Sequence, residues 1–138
     1  MMSDTERAEG WRRLQIVIAD YETRPFVWGT ADCLCFAADA VRAFTGLDSL
    51  GDHRNRYTSR LGAAERLRTF GYRRLEDLVT AQAQKAGFKQ IPSGLAAVGD
   101  IGLTMDQTVC VRVPTGFLAR REQRMSISST AQKAWSVN

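Results

Sequence analysis

The N-terminal part of the chain carries an apolar stripe at helical spacing. Trp11, Leu14 and Val17 fall on one helix face, which predicts a helix from residue 11 to about residue 21. Pro25 ends this helix, because proline disfavours a helical conformation in the residue before it. Residues 1–10 are polar and lack such a stripe. They are predicted to be a flexible N-terminus ahead of a single domain over residues 11–138.

The next stretch with helical spacing is rich in alanine. Thr30 and Asp32 are both candidate N-caps, since short polar side chains accept hydrogen bonds from the free N–H groups at a helix start. Gly46 fits the left-handed residue that commonly follows a helix. The pattern therefore predicts a helix over residues 31–45.

Strand-like alternation replaces helical spacing in the last third of the chain. Ile101 and Leu103 alternate with small residues, and valines alternate over residues 109–113. Helices followed by short strands indicate an α+β domain in which N-terminal helices pack on a small antiparallel β-sheet. The remaining predicted helices cover residues 63–70 and 75–86, and the predicted strands cover 88–91, 101–105, 109–113, 117–119, 124–127 and 134–137.

The composition is that of an ordinary globular domain. Of the 138 residues, 44% are hydrophobic and 25% are charged, so the chain can bury a core without disulfide or metal support. The formal net charge is +4, and arginines crowd residues 54–74. Such a stretch fits a polyanion, a solvated helix face or a charged contact with a partner protein. Nucleic acid is the weakest of these interpretations, because no aromatic ladder or known binding motif accompanies the arginines.

The cysteines and the single histidine form no metal or disulfide pattern. Cys33, Cys35 and Cys110 are odd in number and irregular in spacing. No Cys-x-x-Cys pair exists, so a zinc site is not predicted, and no cofactor motif is present. The sequence has neither an apolar signal segment at its start nor an apolar run of membrane-spanning length. Cys35 and Cys110 are interpreted as small core residues.

Residues 26–36, FVWGTADCLCF, place a cysteine at the start of the second predicted helix. A helix N-terminus stabilises a thiolate, so Cys33 is a candidate nucleophile. With its alanine-rich continuation, this segment resembles the nucleophile segment of the NlpC-type peptidases of the papain-like superfamily, where an Asp-Cys pair opens the helix. Gly99-Asp100 resembles the Gly-Asp element that begins the first core strand in that superfamily.

A more specific resemblance is to short NlpC-like proteins encoded among bacteriophage tail genes. It rests on the segment PFVWGTADC, on Arg-Tyr and Gly-Ala in RNRYTSRLGAAERL, and on Trp135 followed by Val137. These features span about residues 11–137. The resemblance implies a papain-like/NlpC-like α+β fold, assembly in the host cytoplasm into the virion, and other tail or tail-tip subunits as partners.

The chain departs from this family at the catalytic histidine. In NlpC-type enzymes that residue begins the second core strand, where this sequence has Gln107 or Thr108. Neither side chain acts as a general base near neutral pH. His53 is the alternative base, although residues 51–55 are interpreted as a solvated loop. Cys33 is therefore interpreted first as a partly buried, vestigial thiol, and second as a working nucleophile.

Other residues have expected roles around this segment. Trp28 is either a candidate wall of a groove beside Cys33 or a core residue. Asp32 is expected to cap the helix, and Asp100 is expected to stabilise a turn. Arg66 and Arg68 are candidate contacts to an acidic partner subunit.

Two main functions remain open at this point. In the first, the protein is a structural or assembly component of a phage tail, at the tail tip, and its NlpC-like fold is kept for docking. In the second, it is a cysteine peptidase or amidase that cleaves peptidoglycan peptides during phage entry. Cys33 would then be the nucleophile and His53, or a residue of a partner chain, the base. A bacterial thiol enzyme that acts alone is a third interpretation. The missing histidine favours the first.

Overall fold

The structure, a computed structural model, describes residues 2–138. Four α-helices precede a six-stranded sheet, so the predicted α+β class is confirmed. Two short 3-10 turns, Gly51–His53 and Ser93–Leu95, lie between the main elements. The helices are α1 (Asp4–Thr23), α2 (Cys33–Thr45), α3 (Arg60–Thr69) and α4 (Leu75–Ala86), and the strands are β1 (Lys89–Ile91), β2 (Ile101–Leu103), β3 (Val109–Val113), β4 (Gly116–Arg120), β5 (Met125–Ser128) and β6 (Lys133–Ser136).

The sheet is antiparallel throughout, with the strand order β1-β6-β2-β3-β4-β5. Strands β2 to β5 follow one another as a meander. Strand β6 comes back from the far edge and fits between β1 and β2, where Trp135 pairs with Ile101. Ile101 also pairs with Val111 of β3, so these three side chains lie side by side at the centre of the sheet.

The core lies between α2 and the face of the sheet that carries Ile101, Val109 and Val111. Small alanines on α2 allow its backbone to approach the sheet closely, and α1 packs across α2. The opposite sheet face has a smaller cluster around Cys110 and Phe117.

Phe44 fixes the position of α2 between α1 and the approach to β2. Its ring is flanked on one side by Gly10 of α1 and on the other by Gly99. A β-carbon at Gly10 would lie 2.8 Å from the ring, and one at Gly99 would lie 2.7 Å from it. Gly99 also has a φ of +96°, a conformation that glycine adopts without strain. Glycines at both positions therefore let the three elements close around the ring.

The N-terminal prediction was wrong, because residues 4–10 are the first two turns of α1 and not a flexible segment. Ser3 caps the helix by accepting a hydrogen bond from the Glu6 N–H at 3.1 Å. Asp4 and Glu6 in the first turn complement the positive end of the helix dipole. These polar signals start the helix although the apolar stripe begins only later.

The polar segment after α2 is also more ordered than predicted. Gly51–His53 is a 3-10 turn, and His53 is 4% exposed, so the prediction of a solvated loop was wrong. The segment is held by Arg54, which donates to Asp39 at 2.5 Å and to Asp48 at 2.6 Å. On its other side Asp52 accepts from Lys85 of α4 at 2.9 Å. Ion pairs to two helices thus replace the apolar stripe that this segment lacks.

Within residues 2–138, no helix has the length and apolar character needed to cross a membrane.

Candidate functional site

A cleft of about 470 Å³ opens at the N-terminal end of α2. Its wall includes the segment before α2, helix α3, the turn between β2 and β3, and the end of β4. Cys33, the first residue of α2, lines the cleft together with Trp28 and His53. The candidate nucleophile and the only histidine therefore face one space.

Asp32 organises this end of the cleft. Its carboxylate caps α2 by accepting from the Cys35 N–H at 2.9 Å, as predicted. It also accepts from the Gly29 N–H at 2.9 Å and from the Tyr57 hydroxyl at 2.5 Å. The side chain is 1% exposed, so its negative charge is stabilised by these donors and not by water. Asp32 thereby connects α2, the segment before it and the segment before α3.

The thiol of Cys33 is held in its protonated form. Burial, and after it the negative charge of Asp32, raise the pKa of Cys33 to about 12. The backbone N–H groups of Val109 and Leu34 and the more distant charge of Arg121 act against this shift but do not cancel it. A nucleophilic cysteine needs the opposite balance, because the thiolate is the reactive form.

An ion pair lies at Thr108, one of the two positions at which the sequence resemblance led us to look for a catalytic histidine. Thr108 comes directly before β3, and its hydroxyl accepts from Arg121 at 3.0 Å. The same guanidinium nitrogen donates to Asp106 at 2.6 Å. This contact lowers the pKa of Asp106 to about 2, so the carboxylate stays charged. Gln107 turns away and accepts from the Glu76 N–H of α4 at 2.9 Å. No residue of this turn accepts a proton near neutral pH.

His53 reaches the cleft without a free ring nitrogen that could accept a proton. The Nε of Arg66 donates to Nδ1 of His53 at 2.8 Å. Since a guanidinium only donates, the proton of the neutral ring lies on the other nitrogen. Burial and the charge of Arg66 lower the pKa of His53. The ring also packs edge-on against Phe70, with 5.0 Å between centroids. His53 is thus fixed as a neutral structural residue.

The sequence profile of a domain of unknown function, DUF6950, matches residues 6–137. The chain belongs to the DUF6950 family. No curated protein and no solved structure matches the chain.

The other predicted residues of this DUF6950 domain are spread over the molecule. Trp28 is half-buried and packs edge-on against Phe26, 5.0 Å away, in the cleft wall. Asp100 lies outside the cleft and accepts from the backbone N–H groups of Ala97 and Val137, so its expected role in a turn is confirmed. Arg68 is exposed, whereas Arg66 is engaged with His53.

Cys35 and Cys110 are buried, as predicted for core residues. Among residues 2–138 no group of three or more His, Cys, Asp or Glu side chains is arranged to hold a metal ion.

Sequence reasoning gave no role in the DUF6950 cleft to several residues that line it, among them Tyr57, Asp106, Arg120 and Arg121. Tyr57 and Asp32 are 25 residues apart, and no spacing rule connects them. Arg120 did leave a signal. In the strand Gly116–Arg120, Leu118 and Arg120 are two positions apart and therefore lie on the same sheet face. The pattern thus places a cation beside the core.

Proposed function

We propose that this DUF6950 protein is a bacteriophage tail component, at the tail tip, whose NlpC-like fold serves to bind a partner and not to catalyse. The fold assignment and the virion location rest on the resemblance of the Asp-Cys segment and of the later motifs. Its partners are then other tail subunits, and assembly takes place in the host cytoplasm. A fold can keep its cleft after its chemistry is lost, so function has to be argued from the site.

One observation carries the proposal: Thr108, at which the resemblance would lead one to expect the catalytic base, is bound to the Arg121–Asp106 ion pair. Amide cleavage by cysteine requires a thiolate to attack the carbonyl and an acid to protonate the leaving amine. A guanidinium does not exchange protons near neutral pH, and the low pKa of Asp106 keeps its carboxylate ionised. A protonated thiol without a base fits a binding cleft better than an active site.

Alkylation of Cys33 by iodoacetamide tests this proposal. The rate is measured between about pH 5 and pH 9, which brackets the free-thiol pKa of about 8.5. Peptide mapping by mass spectrometry reads Cys33 directly, because Cys35 and Cys110 are 2% and 0% exposed and stay protected in the folded protein. We expect slow alkylation that still rises at the upper end of this range, equal in wild type and His53→Gln. Fast alkylation with an apparent pKa well below the free-thiol value, lost in His53→Gln, would overturn the proposal.

The alternative function is a peptidase or amidase acting on peptidoglycan peptides. It is favoured by the presence of Cys33 and His53 in one cleft. For catalysis, Arg66 would have to release Nδ1 of His53, or a partner chain would have to supply the base. Release of peptides from purified peptidoglycan by wild type, absent in Cys33→Ala, would support it. On our proposal, phage carrying Cys33→Ala assemble normal tails and infect as wild type does.

A further inference from the structure

Arg120 is a buried cation without an anion. It ends β4, lines the cleft and is 6% exposed. One guanidinium nitrogen, Nη1, donates to the backbone carbonyl of Tyr21 at 3.2 Å. Nε is buried and has no hydrogen-bond partner, and among residues 2–138 no carboxylate lies within ion-pair distance. Burial of an unpaired charge is costly, so such a group marks a place where a ligand would complete the contacts.

The rest of the cleft is also short of negative charge. Arg60 and Arg66 line it and form no ion pair within residues 2–138. The acids on the wall are already engaged: Asp32 accepts three hydrogen bonds, and Asp106 is paired with Arg121. The lining thus holds three carboxylates, the third being the exposed Glu122, against four arginines. The free charges of the cleft are therefore predominantly positive.

An aromatic wall stands beside these cations. Phe26 and Trp28 form an edge-to-face pair, and both are half-buried in the cleft. The cleft volume of about 470 Å³ lies within the roughly 300–1,000 Å³ that is usual for a ligand site. A space of this size takes a few peptide residues, with apolar side chains against the wall and acidic ones near the arginines. It is too small for a nucleic-acid duplex, whose phosphates are met by exposed basic surfaces.

We propose that the cleft binds an acidic, extended peptide segment of a partner protein, with one side-chain carboxylate of that segment on Arg120. The carboxylate satisfies the guanidinium through charge-assisted hydrogen bonds. A second acidic residue pairs with Arg60 or Arg66. This inference rests on the proposed binding function and names the chemistry of the partner.

Fluorescence anisotropy on the full chain tests the inference. The probe is a capped peptide of alternating glutamate and leucine with a neutral dye, and its matched control has glutamine in place of glutamate. Binding is measured at ionic strengths of about 0.05 M and 0.15 M, because exposed charge pairs are screened over this range. The variants are Arg120→Met and Arg60→Met. The charge-matched control is Arg42→Met, an exposed arginine in the last turn of α2, away from the cleft.

We expect the glutamate peptide to bind and the glutamine peptide to bind at least about tenfold more weakly. Arg120→Met should weaken binding of the glutamate peptide by about tenfold or more, and Arg42→Met should leave it unchanged. Thermal unfolding of each variant shows whether it is folded, and Arg60→Met, at an exposed position, gives a second reading if Arg120→Met is not.

Equal binding of the two peptides, or wild-type binding by both cleft variants, would overturn the inference. Equal competition by a single-stranded oligonucleotide of the same charge would also overturn it, because it would indicate a general polyanion surface. The alkylation of Cys33 separates the two proposals. A slow thiol without peptide binding defeats this inference alone, whereas a fast thiol or cleavage of the peptide defeats the binding function itself.

Discussion

Replacing Asp32 with alanine should destabilise the protein more than the loss of an ordinary helix cap. The side chain accepts three hydrogen bonds, from Cys35, Gly29 and Tyr57. Loss of a cap alone costs about 1 kcal/mol, and hydrogen bonds to a charged group contribute about 1.5–3 kcal/mol each. Because these contributions overlap, we expect Asp32→Ala to lower the free energy of unfolding by about 3–5 kcal/mol.

Urea unfolding followed by circular dichroism measures this loss. Ser59→Ala is the matched control, since Ser59 caps α3 with one exposed hydrogen bond to the Gly62 N–H, and its loss should cost about 1 kcal/mol or less. Tyr57→Phe removes only the shared hydroxyl. The double variant at positions 32 and 57 should lose less stability than the two single variants together, by about 1–2 kcal/mol. Additive losses, or an Asp32→Ala variant no less stable than Ser59→Ala, would refute this account of the site.

The same substitution has a chemical readout. The negative charge of Asp32 is, after burial, the second cause of the raised pKa of Cys33. In Asp32→Ala that pKa should fall below about 12, and alkylation of Cys33 at a given pH should be faster. An unchanged rate in a folded variant would mean that the carboxylate does not act on the thiol.

Two further predictions concern packing and pH. Gly10→Ala should cost a net 1–2 kcal/mol or so, because the new methyl meets the Phe44 ring and overpacking outweighs the gain in helix propensity of about 1 kcal/mol. Gly94→Ala, whose methyl meets nothing within 4 Å, should change the urea midpoint little, and equal losses would contradict the packing argument. The pKa of His53 is lowered from 6.5, so the folded state resists the protonation that the unfolded state accepts. The contribution of His53 to the free energy of unfolding should therefore be fully present above about pH 6.5 and be lost as the pH drops below it. The His53→Gln variant should lack this loss. Parallel profiles of unfolding free energy against pH for wild type and variant would show that the ring is not held neutral.

Local signals predicted most of the elements. The Asp32 cap and Gly46 bracket α2 in the sequence as they do in the structure, and α4 ends before Gly87 as expected. The alternating valines of β3 have the same bounds in both. In each case the information lies in residues within a few positions of one another, which is the range over which caps and periodicity act.

Order that depends on distant partners could not be predicted in this way. The segment around His53 has no apolar stripe, and its conformation is set by the pairing of Arg54 with Asp39 and by the pairing of Asp52 with Lys85. These partners are 15 and 33 residues apart. A single sequence does not show which of its many opposite charges will meet, so a polar stretch held by ion pairs resembles a solvated loop.

The candidate site was predicted in part for the same reason. The position of Cys33 and the role of Asp32 follow from their places beside a helix start. The Arg121–Asp106 pair joins residues 15 apart, one directly after β4 and one in the turn before β3, so the sequence alone does not show that Thr108 is bound to it. Arg66 donates to His53, a contact that the sequence did not predict, and its contact with an acidic partner stays a prediction.

The place of β6 in the sheet also determines when the fold can be completed. β1 has β6 as its neighbour, and β2 needs β6 on one side, so neither finishes its hydrogen bonding until residues 133–136 have been synthesised. A nascent chain that stops short of these residues lacks Trp135 in its core and exposes the edge of β2. Pairing between elements so far apart in sequence is slow to form. A frameshift or a proteolytic cut that removes residues 133–136 should therefore be as damaging as one in the middle of the chain.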